Sequence, residues 1–273
     1  MRYCIKLSYD GSAFCGWQIQ PNAKTVQECL EKGLSTLLGV GISVVGAGRT
    51  DSKVNAVGYV AHFDYEGSAD MGLTGYKLNA ILPLGIVIHG IEPVSDDFHA
   101  RFGATNREYT YFLHRKKDPF VNSYSYHCSF ELDVNAMNEA ARALIGRHDF
   151  GCFEKVGSDN KTSICTVTEA YWTTYKPAHV DIMGFGQEES YLYFRISADR
   201  FLRNMVRAVV GSLLEVGRGR RSIDEFRALI LDPDGSAGRI SGKPLRSLAG
   251  ESVPGHALFL SKVDYDSKSK PAE

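Results

Sequence analysis

The stretch Gly46-Ala47-Gly48-Arg49-Thr50-Asp51 places a guanidinium and a carboxylate two residues apart on a glycine-loosened turn. Strands on either side of such a turn can aim both groups at one pocket, which makes Asp51 the first candidate for chemistry. Two other readings compete. Gly46-x-Gly48 after a strand could open a dinucleotide-binding turn, but the third glycine of that fingerprint would fall where Asp51 stands, with the wrong charge for a pyrophosphate. Arg49 and Asp51 could also form a surface ion pair in a hairpin, worth about 0 to 1 kcal/mol.

The elements that must position this turn are legible as periodicities. Residues 42–45 read as a strand end and 57–65 as an interior strand, in which His62 is a hydrogen-bonded strand residue rather than a catalyst. Tyr3, Ile5 and Leu7 alternate with polar neighbours, as in a half-buried strand. Thr25-x-x-Glu28 is a capping box ahead of the apolar helical face Val26, Leu30, Leu34, Leu37 and Leu38. A short helix over 73–82 ends at Pro83, and another strand begins at Ile86. The strand over 107–113 puts Tyr109, Tyr111 and Leu113 on one face and Thr110 and Phe112 on the other.

The second half repeats this order. Asp133 caps a helix with the face Val134, Met137, Ala141, Leu144 and Ile145. Strands follow over 165–175 and 191–197. The most pronounced helical pattern, 202–216, carries Arg203 and Arg207 four apart and therefore on one side. Ser222-x-x-Glu225 caps a helix through Leu231, 235–254 reads as a loop, and 258–265 as a last strand. Two successive units of mixed strands and helices indicate an α+β protein with antiparallel pairing.

Composition narrows the class further. The chain has 273 residues, of which 44% are hydrophobic and 23% charged, enough for a packed core. Its net charge of −1 gives no global field for nucleic acid. The basic footprint is local. Between Arg195 and Arg221, seven arginines face only Asp199 and Glu215, and between Arg101 and Lys117 five cations face Glu108. One such window is ordinarily a solvated face, but two flanking an aromatic strand fit a groove that tracks phosphates. The six cysteines form no C-x-x-C pair and the eight histidines no H-x-x-x-H pair, so neither zinc nor a disulfide framework is indicated, and scattered thiols suit a reducing cytosol. The first ten residues do not read as a signal peptide, and the most apolar run, 80–91, is too short to span a bilayer.

Gly48-Arg49-Thr50-Asp51 resembles the catalytic signature of the tRNA pseudouridine synthase A family, and further blocks agree in order. They are Tyr9-Asp10-Gly11, Gly16-Trp17-Gln18, Thr25-Val26-Gln27, Leu78-Asn79-Ala80 with Leu82-Pro83, and Asp97-Phe98-His99-Ala100-Arg101-Phe102. Arg107-x-Tyr109-x-Tyr111, Phe201-Leu202, Met205-Val206-Arg207, Val210-Gly211-Ser212-Leu213 and a closing block from Pro254 to Leu260 complete the series. The resemblance implies a pseudouridine synthase fold, two ferredoxin-like halves whose antiparallel sheets join around a central cleft. The halves would be 1–105, with the Asp51 loop, and 106–265, with the aromatic strand and the arginine-bearing helix, followed by a polar tail over 266–273.

The implied reaction turns uridine in the anticodon arm of tRNA into pseudouridine at positions thirty-eight to forty, in a cytoplasmic homodimer with no cofactor and no metal. Asp51 would act on the ribose as nucleophile or base, Tyr109 would stack on the flipped uracil, and Arg207 would be the active-site arginine that keeps a cleft-bound carboxylate ionised. Arg49 would hold the flipped nucleotide, with Lys53, Arg101, Arg107 and Arg203 as backbone contacts. The chain departs from the family at Ser52, Lys53, Asn55, Tyr59 and Ala257. Lys53 and Ala257 replace glycines, Asn55 a supporting histidine, and Tyr59 a common glutamine. A non-catalytic RNA-binding paralogue, or a synthase for a different tRNA or ribosomal uridine, are the alternatives.

Overall fold

The computed structural model describes residues 1–158, 160–184, 190–233 and 245–266, and these form two compact units. Unit 1 comprises Met1–Arg107 and the described residues from Phe259 onward; unit 2 comprises Glu108–Leu258.

In unit 1 the alternating segment becomes β1 (Arg2–Tyr9), with Ile5 and Leu7 fully buried. Thr25 starts α1 (Val26–Leu38), its hydroxyl accepting the Glu28 N–H at 3.4 Å, and Val26, Leu30 and Leu34 face the core. The capping box is only half formed: the Glu28 carboxylate binds Lys32 Nζ at 2.6 Å, one turn on. The strand expected over 42–45 contracts to β2 (Val45–Gly46), antiparallel to β3 (Asn55–Asp64). Asp70 caps α2 (Met71–Ile81), which stops before Pro83 as expected and leads into β4 (Ile86–Val94). The Asn79 amide bonds both the N–H and the C=O of Ile88, at 2.7 and 2.9 Å, locking α2 to that strand. The order is β4-β1-β3, with β1 antiparallel to both neighbours and Leu7 opposite Tyr59 and Ile88.

His62 on β3 is buried, and its Nδ1 accepts the Ala100 N–H at 3.1 Å. Burial, helped by the positive charge of Arg2 and by His99, pushes its pKa from 6.5 down to about 4. The unfolded chain therefore binds the proton between those values and the folded one does not, so stability rises with pH across that window. Replacing His62 by Gln is expected to flatten the dependence of the urea unfolding free energy on pH between about 4 and 6.5. An unchanged slope would refute the assignment.

β5 (Ala104–His114) carries the chain into unit 2, where Tyr111 and Leu113 are fully buried, as the alternation indicates. β6 (Tyr126–His127) pairs parallel with its far end. Asp133 caps α3 (Val134–Arg142), which ends before Leu144 and Ile145 and turns into β7 (Gly146–Asp149). β8 (Ile164–Thr174), α4 (Ala178–Met183) and β9 (Tyr191–Ala198) follow, giving the order β5-β9-β8-β7. α5 (Met205–Gly217) packs on α3 and on α6 (Ile223–Arg227). The Ser222–Glu225 capping box of α6 is complete, worth about 1 kcal/mol. That helix stops short of Leu231 because Leu231 exchanges two backbone hydrogen bonds of 3.0 Å with Asp149 on β7. β10 (Leu258–Tyr265) returns to unit 1 and runs parallel to β3, Phe259 opposite Asn55.

Both units are mixed α+β; β1–β3, β1–β4, β2–β3, β7–β8 and β8–β9 pair antiparallel, as expected, while β3–β10 and β5–β6 are short parallel pairs. The loop read over 235–254 is described only from residue 245, and residues 267–273 of the tail lie outside the described chain.

Candidate active site

The loop carrying Asp51 joins β2 to β3 and is held from three directions. From β1, the Tyr9 and Thr50 hydroxyls share a buried hydrogen bond of 2.8 Å. From the segment after β1, Trp17 N–H donates to the Thr50 carbonyl at 3.3 Å and the Phe14 carbonyl accepts Lys53 N–H at 3.2 Å. From β3, the Tyr59 hydroxyl donates to the Gly48 carbonyl at 2.5 Å. Residues of the blocks around Tyr9 and Trp17 thus cradle the Asp51 loop.

Asp51 is half-buried, and its carbonyl closes a turn by accepting Val54 N–H at 3.1 Å. Inside that turn Lys53 has φ +65°, the left-handed conformation a glycine would adopt freely and a lysine adopts at a cost of about 1–2 kcal/mol. Asn55 is buried and its Oδ1 accepts the Gly11 N–H at 2.8 Å, tying the start of β3 to the segment after β1.

Arg49 and Lys53 are exposed at the rim of the loop. Arg101 is exposed, its guanidinium 5.5 Å from the centre of the Phe102 ring. Arg107 is engaged by backbone: its guanidinium donates to the carbonyls of Ala104, Ala47 and Arg101 at 2.9, 3.1 and 2.5 Å, tying the start of β5 to the base of the Asp51 loop.

Tyr109 and Arg207 lie in unit 2. Tyr109 is half-buried on β5, with Phe201 edge-on to it at 5.1 Å. Arg207 sits in the first turn of α5. Its Nε donates to the Val253 carbonyl at 2.7 Å, and Val253 N–H returns a bond to the Arg207 carbonyl at 3.2 Å. The expectation that Arg203 shares a helical face with Arg207 is corrected: α5 begins at Met205, because Asn204 takes a left-handed conformation at φ +67° and leaves Arg203 in the turn before it. Asn204 Nδ2 then bonds Ser252 Oγ at 2.6 Å, so the anchor of this helix end is again the 250–253 segment.

That segment approaches α5 so closely that a Cβ at Gly211 would lie 1.8 Å from the Glu251 carbonyl oxygen. Gly211→Ala is expected to cost about 3 kcal/mol, the upper end for overpacking, because the obstacle is backbone. Urea denaturation measures it, and a loss below about 1 kcal/mol would contradict this packing.

Pairing thins the two basic windows. Arg195 faces Glu108 at 3.7 Å, Arg221 binds Glu215 at 2.8 Å, Arg115 binds Glu131 at 2.7 Å, and Arg218 lies 3.4 Å over the Phe130 ring. Of the cations in these windows Arg101, Lys116, Lys117, Arg203 and Arg220 are exposed, and Arg49 and Lys53 are exposed on the Asp51 loop outside them. Among the described residues no group of three or more His, Cys, Asp or Glu side chains could hold a metal ion, and no helix is long and apolar enough to cross a membrane.

Residues 140–266 match the model of a family described as tRNA pseudouridine synthase. Relatives match nearly the whole chain. A tRNA pseudouridine synthase A of Bacteroides thetaiotaomicron is 46% identical over 97% of this chain and 90% of its own length. Its counterpart in Bacteroides fragilis is 47% identical over 97% and 96%, and that of Bacillus subtilis is 40% identical over 97% and 100%.

Proposed function

The chain belongs to the tRNA pseudouridine synthase A family, and on that premise we infer that it isomerises uridine in tRNA to pseudouridine. The bond from N1 to C1′ breaks, the uracil turns, C5 bonds to C1′ with loss of its hydrogen as a proton, and N1 takes up a proton, so that the product is an isomer of uridine. The observation that carries this reading is the similarity to such synthases across 97% of the chain. Asp51 is the group that acts on the ribose, as nucleophile at C1′ or as base at C2′. Tyr109 stacks on the uracil and takes the C5 proton, and Arg207 supplies positive charge. Arg49, Lys53, Arg101, Arg107 and Arg203 are assigned to RNA positioning, and Arg107 does so by holding the Asp51 loop through Ala47. Unstacking the target uridine costs a few kcal/mol, offset by base stacking and phosphate contacts.

The target is the anticodon arm, at positions thirty-eight to forty, and the working form is a cytoplasmic homodimer, as the family resemblance implies. Carbodiimide mapping of pseudouridine on unmodified tRNA transcripts incubated with the protein tests the target. Modification confined to those positions is the expected result; modification elsewhere in the tRNA would refute the assignment to the anticodon arm. Light scattering of the purified protein is expected to give the mass of a dimer, and a monomer would refute that part.

A further inference from the structure

We propose that the hydroxyl of Tyr59 is a positioning group for the reaction, fixing the Asp51 loop through the Gly48 carbonyl. This rests on the reading that Asp51 acts on the ribose. Gly48 and Thr50 bracket Arg49, and each is held by one tyrosine hydroxyl: Gly48 O accepts from Tyr59 at 2.5 Å and Thr50 Oγ1 shares a bond of 2.8 Å with Tyr9. The backbone of the residue before Arg49 and the side chain of the residue before Asp51 are thus pinned, and Arg49 and Asp51 project from a fixed frame.

Tyr59 is itself immobilised. Its ring is 1% exposed, stacks on Trp17 at 4.2 Å, and meets Tyr9 at 5.5 Å. The bare Cα of Gly46 makes this possible, since a Cβ there would lie 2.2 Å from the Tyr59 hydroxyl and 2.6 Å from the Trp17 ring. Packed between Gly46 and Trp17, the hydroxyl donates to the Gly48 carbonyl. The ring supplies packing; the hydroxyl supplies loop geometry.

Tyr59→Phe separates the two contributions, because it keeps the ring and removes one oxygen. Single-turnover conversion of unmodified tRNA at saturating protein, tRNA binding and thermal unfolding are measured for wild type, Tyr59→Phe and Asp51→Asn. The expected result for Tyr59→Phe is a rate lowered about tenfold, with tRNA affinity within a few-fold of wild type and the unfolding midpoint lowered by only a few degrees, so that the protein is fully folded at the assay temperature. A wild-type rate in Tyr59→Phe beside an inactive Asp51→Asn overturns the positioning role and leaves the function standing. A rate that falls only in step with the folded fraction or with lost tRNA binding overturns it as well. An active Asp51→Asn instead defeats the reading of the loop, and the proposal falls with it.

Discussion

Asp51→Asn is expected to lower pseudouridine formation by about 10³-fold or more while leaving tRNA binding within a few-fold of wild type. The change keeps the shape of the side chain and removes its negative charge, and with it the capacity to attack C1′ or to take a proton from C2′. The loop should survive, because the Tyr59, Tyr9, Trp17 and Phe14 contacts that hold it all go to residues other than Asp51. Gel-shift binding and single-turnover kinetics on the same preparation check both halves of the expectation. A variant that still turns over within tenfold of wild type would show that the carboxylate is not the reacting group.

Arg207→Ala is expected to lower the single-turnover rate by about 10²-fold, the usual scale for removing one oriented donor from a reacting centre. Arg207 is oriented: its Nε donates to the Val253 carbonyl at 2.7 Å, which fixes the plane of the guanidinium. Arg207→Lys keeps the charge but has no planar fork to divide between Val253 and a second acceptor, so it should recover only part of the loss. α5 itself should hold, since Met205, Ala208, Val209, Val210 and Leu213 bury it independently of Arg207. If Arg207→Ala retains a rate within threefold of wild type, Arg207 has no part in the reaction.

The sequence disclosed what is local. Alternation fixed β1, β3 and β5, the apolar face fixed α1 and the body of α5, and Ser222-x-x-Glu225 announced α6. The Gly48-Arg49-Thr50-Asp51 signature pointed to the loop, although spacing alone left a surface ion pair as a competing reading. What stayed hidden depends on contacts between residues far apart in the chain. Tyr9 and Thr50 are 41 residues apart, Gly11 and Asn55 44, and Arg207 and Val253 46, and no periodicity encodes such pairs.

Helix ends are set by the same distant contacts. Arg203 fits the helical pattern of 202–216, but Asn204 breaks it with a positive φ and a bond to Ser252. Leu231 fits the apolar face of α6 but is drawn off by Asp149. A signal for the left-handed turns was present in residue type: Asn204 is of a kind that tolerates αL, and Lys53 stands where the family resemblance calls for glycine. The tyrosine hydroxyls gave no such signal, since an aromatic residue in a strand ordinarily reads as core.

The most direct test of the account is tritium release from tRNA labelled at uridine C5, because the bond from C5 to C1′ cannot persist in pseudouridine without expelling that hydrogen. Wild-type protein is expected to release one tritium for each uridine converted, with no added cofactor, and Asp51→Asn to release none above background. A folded wild-type protein that binds the labelled tRNA and releases no tritium would contradict the account at its centre.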